Sequence, residues 1–185
     1  MNAYRVSLAA TGLGSGELFY FDHTPWAEWR AAFYRHLAII ANRWNETLGI
    51  ADRYRPELPD SYEADRSVGQ AQRQSYVCRL GTEDYLSLHQ HASGERIFPL
   101  QIVALLSEPE KDFEGGQFVM VERRPRMQSR PIVLPLRLGD AAIICAADRP
   151  FRGNSGYYRV NLKHAISRVH RGERIGAEWS FHDAW

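Results

Sequence analysis

Gly153-Asn154-Ser155-Gly156, then Tyr157-Tyr158-Arg159-Val160-Asn161-Leu162-Lys163-His164, and soon after Arg171-Gly172-Glu173: a turn, a strand and a turn decide how this chain folds. Aromatic and branched residues alternate with polar ones between two glycine-bearing turns, which is the signature of a strand with one buried face. The same pattern recurs on either side. Before it come 75–80, 85–89, 97–106, 117–122, 132–136 and 141–146, and after it comes 178–181. Further turn signals stand at Glu114-Gly115-Gly116 and Leu138-Gly139-Asp140. No helical pattern interrupts these strands, which excludes a doubly wound α/β sheet. About eight short strands predict a mainly β, double-sheet architecture: a double-stranded β-helix, jelly roll or cupin-like.

One helix precedes them. Thr24 suits the N-cap, Pro25 the first helical position and Gly49 the stop. Between them Trp26, Trp29, Phe33, Leu37, Ile40, Trp44 and Leu48 recur at steps of three and four, one apolar stripe. His36 beside the stripe reads as a packing or surface histidine. With no repeat and no linker, residues 1–185 read as one domain. A helical support spans about 24–49 and a β-helix core about 75–183.

Composition narrows the class. The chain has 185 residues, 44% of them hydrophobic, enough to bury a core. Lys+Arg 23 against Asp+Glu 22 gives a net charge of +1, so the chain is no polyelectrolyte. Two cysteines, Cys78 and Cys145, make no disulfide framework. No apolar run is long enough to cross a membrane, and residues 1–16 lack a secretory pattern. The expectation is a cytoplasmic protein with no membrane partner.

Some apparent motifs fail on context. Gly12-Leu13-Gly14-Ser15-Gly16 is followed by Glu17-Leu18-Phe19-Tyr20-Phe21, not by the helix start a phosphate loop needs. Ser155 has Gly153 two residues before it but Tyr157 two residues after it, where a nucleophile elbow needs a second glycine. His182-Asp183 has the makings of a metal pair, but its place at a strand end favours a structural role or one supporting other ligands.

His89-Gln90-His91 carries chemistry. Side chains two apart on a strand share a face, so both imidazoles can point at one spot inside the barrel. His164 closes another strand. Three histidines from two strands make a metal centre, with iron, zinc, copper and nickel all suited to imidazole. Arg174 lies ten residues after His164 across a hairpin signal. Its planar, permanently charged fork suits a carboxylate. A metal beside such an arginine describes a site for a chelating dicarboxylate.

The segment from His89 to Arg174 resembles the non-haem iron(II), 2-oxoglutarate-dependent dioxygenases, whose pattern is His-x-Asp/Glu, a distal His, then Arg or Lys about ten residues on. Leu105-Leu106-Ser107-Glu108-Pro109 followed by Phe113-Glu114-Gly115-Gly116-Gln117-Phe118 is similar to the prolyl-hydroxylase branch. Phe98-Pro99-Leu100-Gln101, Arg124-Pro125-Arg126-Met127-Gln128-Ser129-Arg130, Arg159-Val160-Asn161-Leu162, Ser167-Arg168-Val169 and Phe181-His182-Asp183 match more finely the bacterial nucleic-acid oxygenases.

The resemblance implies Fe(II) and 2-oxoglutarate as cofactors, with His89, His91 and His164 on the metal. Arg174 would hold the C5 carboxylate, and dioxygen would be the co-substrate. It implies hydroxylation or demethylation of a C–H bond on a small molecule, a peptide or damaged nucleic acid. Gln101, Asn161 and Arg159 are candidate pocket residues, although strand alternation aims Asn161 and Arg159 away from the face of His164. Arg123, Arg124, Arg126 and Arg130 form a basic stretch able to hold phosphates, or simply a solvated loop.

One position departs from the pattern. The expected carboxylate is His91. Four readings stand: a three-histidine site; His91 turned out, with water or an anion in its place; Glu95 or another carboxylate substituting; or a site that no longer runs this chemistry. Two functional alternatives also remain, a three-histidine dioxygenase that does not use 2-oxoglutarate and a non-catalytic cupin-like metal or anion binder.

Overall fold

The computed structural model describes residues 3–21, 27–56, 75–90 and 98–181. In chain order the elements are β1 (Ala3–Ser7), a single turn α1 (Leu8–Thr11), β2 (Gly14–Ser15), β3 (Glu17–Phe21) and α2 (Ala27–Thr47). There follow β4 (Tyr76–Leu80), β5 (Tyr85–His89), β6 (Leu100–Leu105), β7 (Phe113–Gly115) and β8 (Phe118–Arg123). The last are β9 (Arg130–Leu134), β10 (Ala141–Cys145), β11 (Asp148–Gly153), β12 (Gly156–Ile166), β13 (Val169–Gly172) and β14 (Arg174–Trp179).

The strands divide between two facing sheets. The larger runs β1-β3-β4-β14-β6-β10, the smaller β2-β5-β12-β8-β9 with β11 beside β12, and β13 pairs with β7. The strand pairings are antiparallel, and the chain passes back and forth from sheet to sheet. This is a double-stranded β-helix, as the strand pattern predicts. Both helices precede β4 instead of alternating with the core strands.

Two apolar layers follow from strand alternation. Between the sheets lie Cys78, Leu80, Leu86, Val103, Phe118, Met120, Val160, Leu162 and Ile166. Across the outer face of the larger sheet lie Phe98, Leu100, Ile102 and Phe181, covered by Tyr34, Leu37, Ala38 and Ala41 of α2. Trp29 meets Trp179 edge-on at 5.2 Å, and Arg30 donates to the Ser180 carbonyl at 2.8 Å. β14, the fourth strand of six, is thus hydrogen-bonded along both edges and covered on its back.

Two details depart from the helix reading. Phe33 and Ile40 are 44% and 42% exposed, and the buried face runs through Tyr34, Leu37, Ala38, Ala41 and Asn45 instead. The small Ala38 and Ala41 let the helix approach Phe98 and Phe181 closely, which the bulkier stripe residues would prevent. Thr24, Pro25 and Trp26 lie outside the described residues. The stop is as expected: Gly49 is left-handed at φ 69°, the Gly49 amide donates to the Glu46 carbonyl, and that of Ile50 to Asn45. Those paired bonds form a Schellman C-cap.

Six strands lie beyond those the sequence pattern marks: β1, the aromatic β3, and the short or polar β2, β7, β11 and β13. The last strand begins at Arg174, four residues before its expected start, and this shift matters to the site.

Candidate metal centre

His89 ends β5 and His164 lies in β12, and the two are direct cross-strand partners. Their ring centroids are 4.3 Å apart inside the barrel. His164 is fully buried, flanked by Val160, Leu162 and Ile166 on the same inner face, with the Phe118 ring stacked on it at 5.6 Å. His89 donates from Nδ1 to the Ser87 carbonyl at 2.8 Å. That bond fixes the tautomer and leaves Nε2 as the acceptor, the usual way a ligating imidazole is oriented. Burial, reinforced by the neighbouring His164, holds the His89 pKa below its usual value. The ring is therefore kept neutral, the form that binds metal.

The opposite sheet supplies the remaining groups. Glu178, in β14, is 3% exposed and places Oε2 3.3 Å from His164 Nε2. Gln101, in β6, is 1% exposed; its Nε2 donates to Glu178 Oε2 at 3.3 Å and stands 3.3 Å from His164 Nε2. Tyr76 is the cross-strand partner of Glu178 and hydrogen-bonds to its carboxylate. Burial, with Glu178 beside it, pushes the Tyr76 phenol well above its usual pKa and keeps it a donor. His89, His164 and Glu178 each bring a ligand atom, all within 4.8 Å of one another.

Arg174 stands on β14 four residues from Glu178, on the same inner face by the two-residue period of a strand. It is 3% exposed, and its Nε donates to the Gly116 carbonyl at 2.8 Å. Its Nη1 is buried without a partner among the described residues. Two glycines make room for it: a Cβ on Gly116 would come 2.9 Å from Arg174 Cδ, and one on Gly176 2.7 Å from Nη1. Burial pulls the guanidinium pKa down. A charge so placed calls for an anion. An open groove of about 620 Å³ ends at Arg174, walled by Phe113, Phe118 and Leu134.

Cys78, the cross-strand partner of Gly176, is pushed up to about 12 by burial, with Glu178 adding to the effect. It is a neutral thiol, unlike the thiolate that binds metal.

The expected residues separate cleanly. His89, His164, Gln101 and Arg174 come together. Asn161 does not: it donates to Asp148 Oδ1 at 2.9 Å, on the face away from His164. Arg159 lies 3.7 Å from the same carboxylate, more than half exposed. Alternation along β12 is the reason, because the inner positions are 160, 162 and 164. His36 is exposed on α2. His91, Glu95, His182 and Asp183 lie outside the described residues. Glu178 and Tyr76 were missed, although counting in twos from Arg174 reaches Glu178.

The residues present fit an iron and 2-oxoglutarate site on two counts: two imidazoles, that of His89 held neutral, beside a carboxylate, and a buried guanidinium nitrogen with no acceptor among the described residues. Two uncharacterized proteins from two strains of Mycobacterium tuberculosis are each 37% identical over 155 residues, 84% of this chain and 66% of their own length. The chain thus spans about two thirds of those relatives. An oxidoreductase of the 2OG-Fe(II) oxygenase family from Burkholderia pseudomallei superposes with a TM-score of 0.42, at 19% identity over 60% of this chain and 43% of that one. A prolyl-4-hydroxylase from Pseudomonas putida does so at 0.49, with 11% identity over 96% and 91%. Superpositions this loose carry no argument. A family model described as "oxygenase, catalysing oxidative methylation of damaged DNA" matches residues 16–184, and the chain belongs to that oxygenase family.

Proposed function

We propose that this protein is a 2-oxoglutarate-dependent oxygenase that oxidises a C–H bond, with residues 16–184 acting as one unit. The observation that carries this reading is Arg174: a buried guanidinium, anchored at Nε, with Nη1 lacking an acceptor among the described residues. It would hold the C5 carboxylate of 2-oxoglutarate as a charged hydrogen-bonded pair. His89 and His164 would hold the iron. With iron bound, dioxygen would be the oxidant, taking two electrons from 2-oxoglutarate, which leaves as succinate and carbon dioxide, and two from the substrate C–H bond. Ser87 keeps His89 in the ligating tautomer. The apolar wall of Phe118, Leu162 and Val160 excludes water, which favours pairing of the dicarboxylate with the protein.

For the substrate, the family's description favours nucleic acid, and the sequence stretch from 123 to 130 supports it. Arg123, Arg126 and Arg130 are exposed, while Arg124 is paired with Glu122 and lies 3.9 Å over the Phe151 ring. Three exposed guanidiniums in eight residues suit phosphates.

Anaerobic titration of the Fe(II)-loaded protein with 2-oxoglutarate tests the co-substrate. A visible metal-to-ligand charge-transfer band is expected as the 2-oxo acid chelates. Iron binding with no such band would refute 2-oxoglutarate use and favour a three-histidine dioxygenase.

A further inference from the structure

We propose that the carboxylate ligand of the iron has moved to the opposite sheet and is Glu178, so that one strand carries both the anionic metal ligand and the dicarboxylate clamp. This rests on the oxygenase reading above and deepens it.

Geometry comes first. Imidazole nitrogens and carboxylate oxygens sit about 2.0–2.2 Å from a bound zinc ion, and iron(II) accepts the same donors. Two such atoms on one ion are then roughly 3.0–3.4 Å apart at angles of about 90–109°. His164 Nε2 and Glu178 Oε2 are 3.3 Å apart. His89, His164 and Glu178 are 9%, 0% and 3% exposed, and their ligand atoms already converge. Two histidines and one carboxylate are the donor set typical of non-haem iron(II) oxygenases.

The surroundings support it. The Gln101 amide nitrogen sits 3.3 Å from both His164 Nε2 and Glu178 Oε2, so the three polar groups meet at one buried point between the sheets. Tyr76 orients the carboxylate from the neighbouring strand, as outer groups do around metal ligands. The charges also balance. Iron(II), the buried Glu178 carboxylate, the 2-oxoglutarate dianion and Arg174 sum to zero.

The test is anaerobic metal binding by the full chain, read by chelator competition with Fe(II) and by the visible absorption of Co(II). Metal-induced change in Tm is measured alongside. Glu178→Gln is expected to weaken Fe(II) binding at least 100-fold and to abolish the metal-induced rise in Tm. Its metal-free Tm should be no lower than wild type, because a buried charge is removed. His91→Ala should shift Fe(II) affinity less than threefold. Unchanged affinity in Glu178→Gln, or loss of binding in His91→Ala instead, overturns the proposal. A fall in metal-free Tm with unchanged affinity also overturns it, by showing a purely structural carboxylate. If Glu178→Gln does not fold, Glu178→Asp answers the same question: a shorter ligand must alter the Co(II) spectrum, and an identical spectrum overturns the assignment. Metal binding that depends on Glu178, with no charge-transfer band on adding 2-oxoglutarate, would refute the co-substrate and leave the ligand assignment standing.

Discussion

Gly176→Ala is a small perturbation with a sharp expected consequence. Gly176 lies between Arg174 and Glu178 on β14 with ordinary extended geometry, so alanine meets no backbone obstacle there. Relieving a glycine within a strand should gain about 0.5–1 kcal/mol. The new methyl group, however, would come 2.7 Å from Arg174 Nη1 and 3.1 Å from the Ala104 carbonyl oxygen. The guanidinium has little freedom to retreat, because Nε is tied to the Gly116 carbonyl and Gly116 closes on Cδ from the other side. Overpacking of this kind costs about 1–3 kcal/mol, so Tm should fall or stay level. A charged hydrogen bond is worth roughly 1.5–3 kcal/mol, and tenfold corresponds to about 1.4 kcal/mol. Displacing the fork should therefore weaken 2-oxoglutarate binding roughly 10- to 100-fold. The assay is the anaerobic charge-transfer titration, with 2-oxobutyrate as the control. That 2-oxo acid lacks the distal carboxylate, and its affinity should not change. A variant with wild-type affinity for 2-oxoglutarate and a higher Tm would refute the reasoning, because the glycine would then not be seating the guanidinium.

Other expectations are simpler to state. His89→Ala or His164→Ala should abolish iron retention, read as iron per chain after desalting, and Arg174→Ala should raise the 2-oxoglutarate requirement tenfold or more. Glu122 is held by Arg124 and Arg149; burial works against its charge, but the two guanidiniums outweigh it and the folded pKa lies below 4.5. Its contribution is thus complete above about pH 4.5 and lost as pH falls through the depressed folded value. Glu122→Gln should cost about 1–3 kcal/mol at pH 7 in urea unfolding and flatten the acid limb of the stability curve. Gly49→Ala forces a side chain into a left-handed C-cap at φ 69° and should cost about 1–2 kcal/mol. Replacing Arg123, Arg126 and Arg130 by Ala should reduce the salt slope of single-stranded oligonucleotide binding by roughly 0.7 for each phosphate no longer neutralised; an unchanged slope would assign that loop to solvent.

The two-residue period made the smaller sheet legible. It put His89 and His164 on inner faces and aimed Asn161 outward, and the structure agrees at each position. The same rule was hardest to apply to β14, whose inner residues are Arg174, Gly176 and Glu178. A strand with no apolar residue facing inward offers no alternation to read, so the pattern marks only 178–181 and leaves Glu178 at its edge. Gln101 sits in a strand buried on both faces, where the pattern cannot distinguish inside from outside. On α2 the spacing established a helix but not its rotation. Large residues dominated the pattern, whereas packing on Phe98 and Phe181 favoured the narrow side bearing Ala38 and Ala41.

The position of β14 also sets how the molecule opens. Its amides bond into β4 on one edge and β6 on the other, and α2 lies across its back. A strand held in this way has no local route to solvent, so its amide protons should exchange with deuterium only when the whole domain unfolds. Amides of the edge strands β1 and β9 should exchange through smaller openings. The clamp and the carboxylate therefore share the slowest-exchanging part of the chain, and fluctuations that admit substrate must arise in segments that β14 does not anchor.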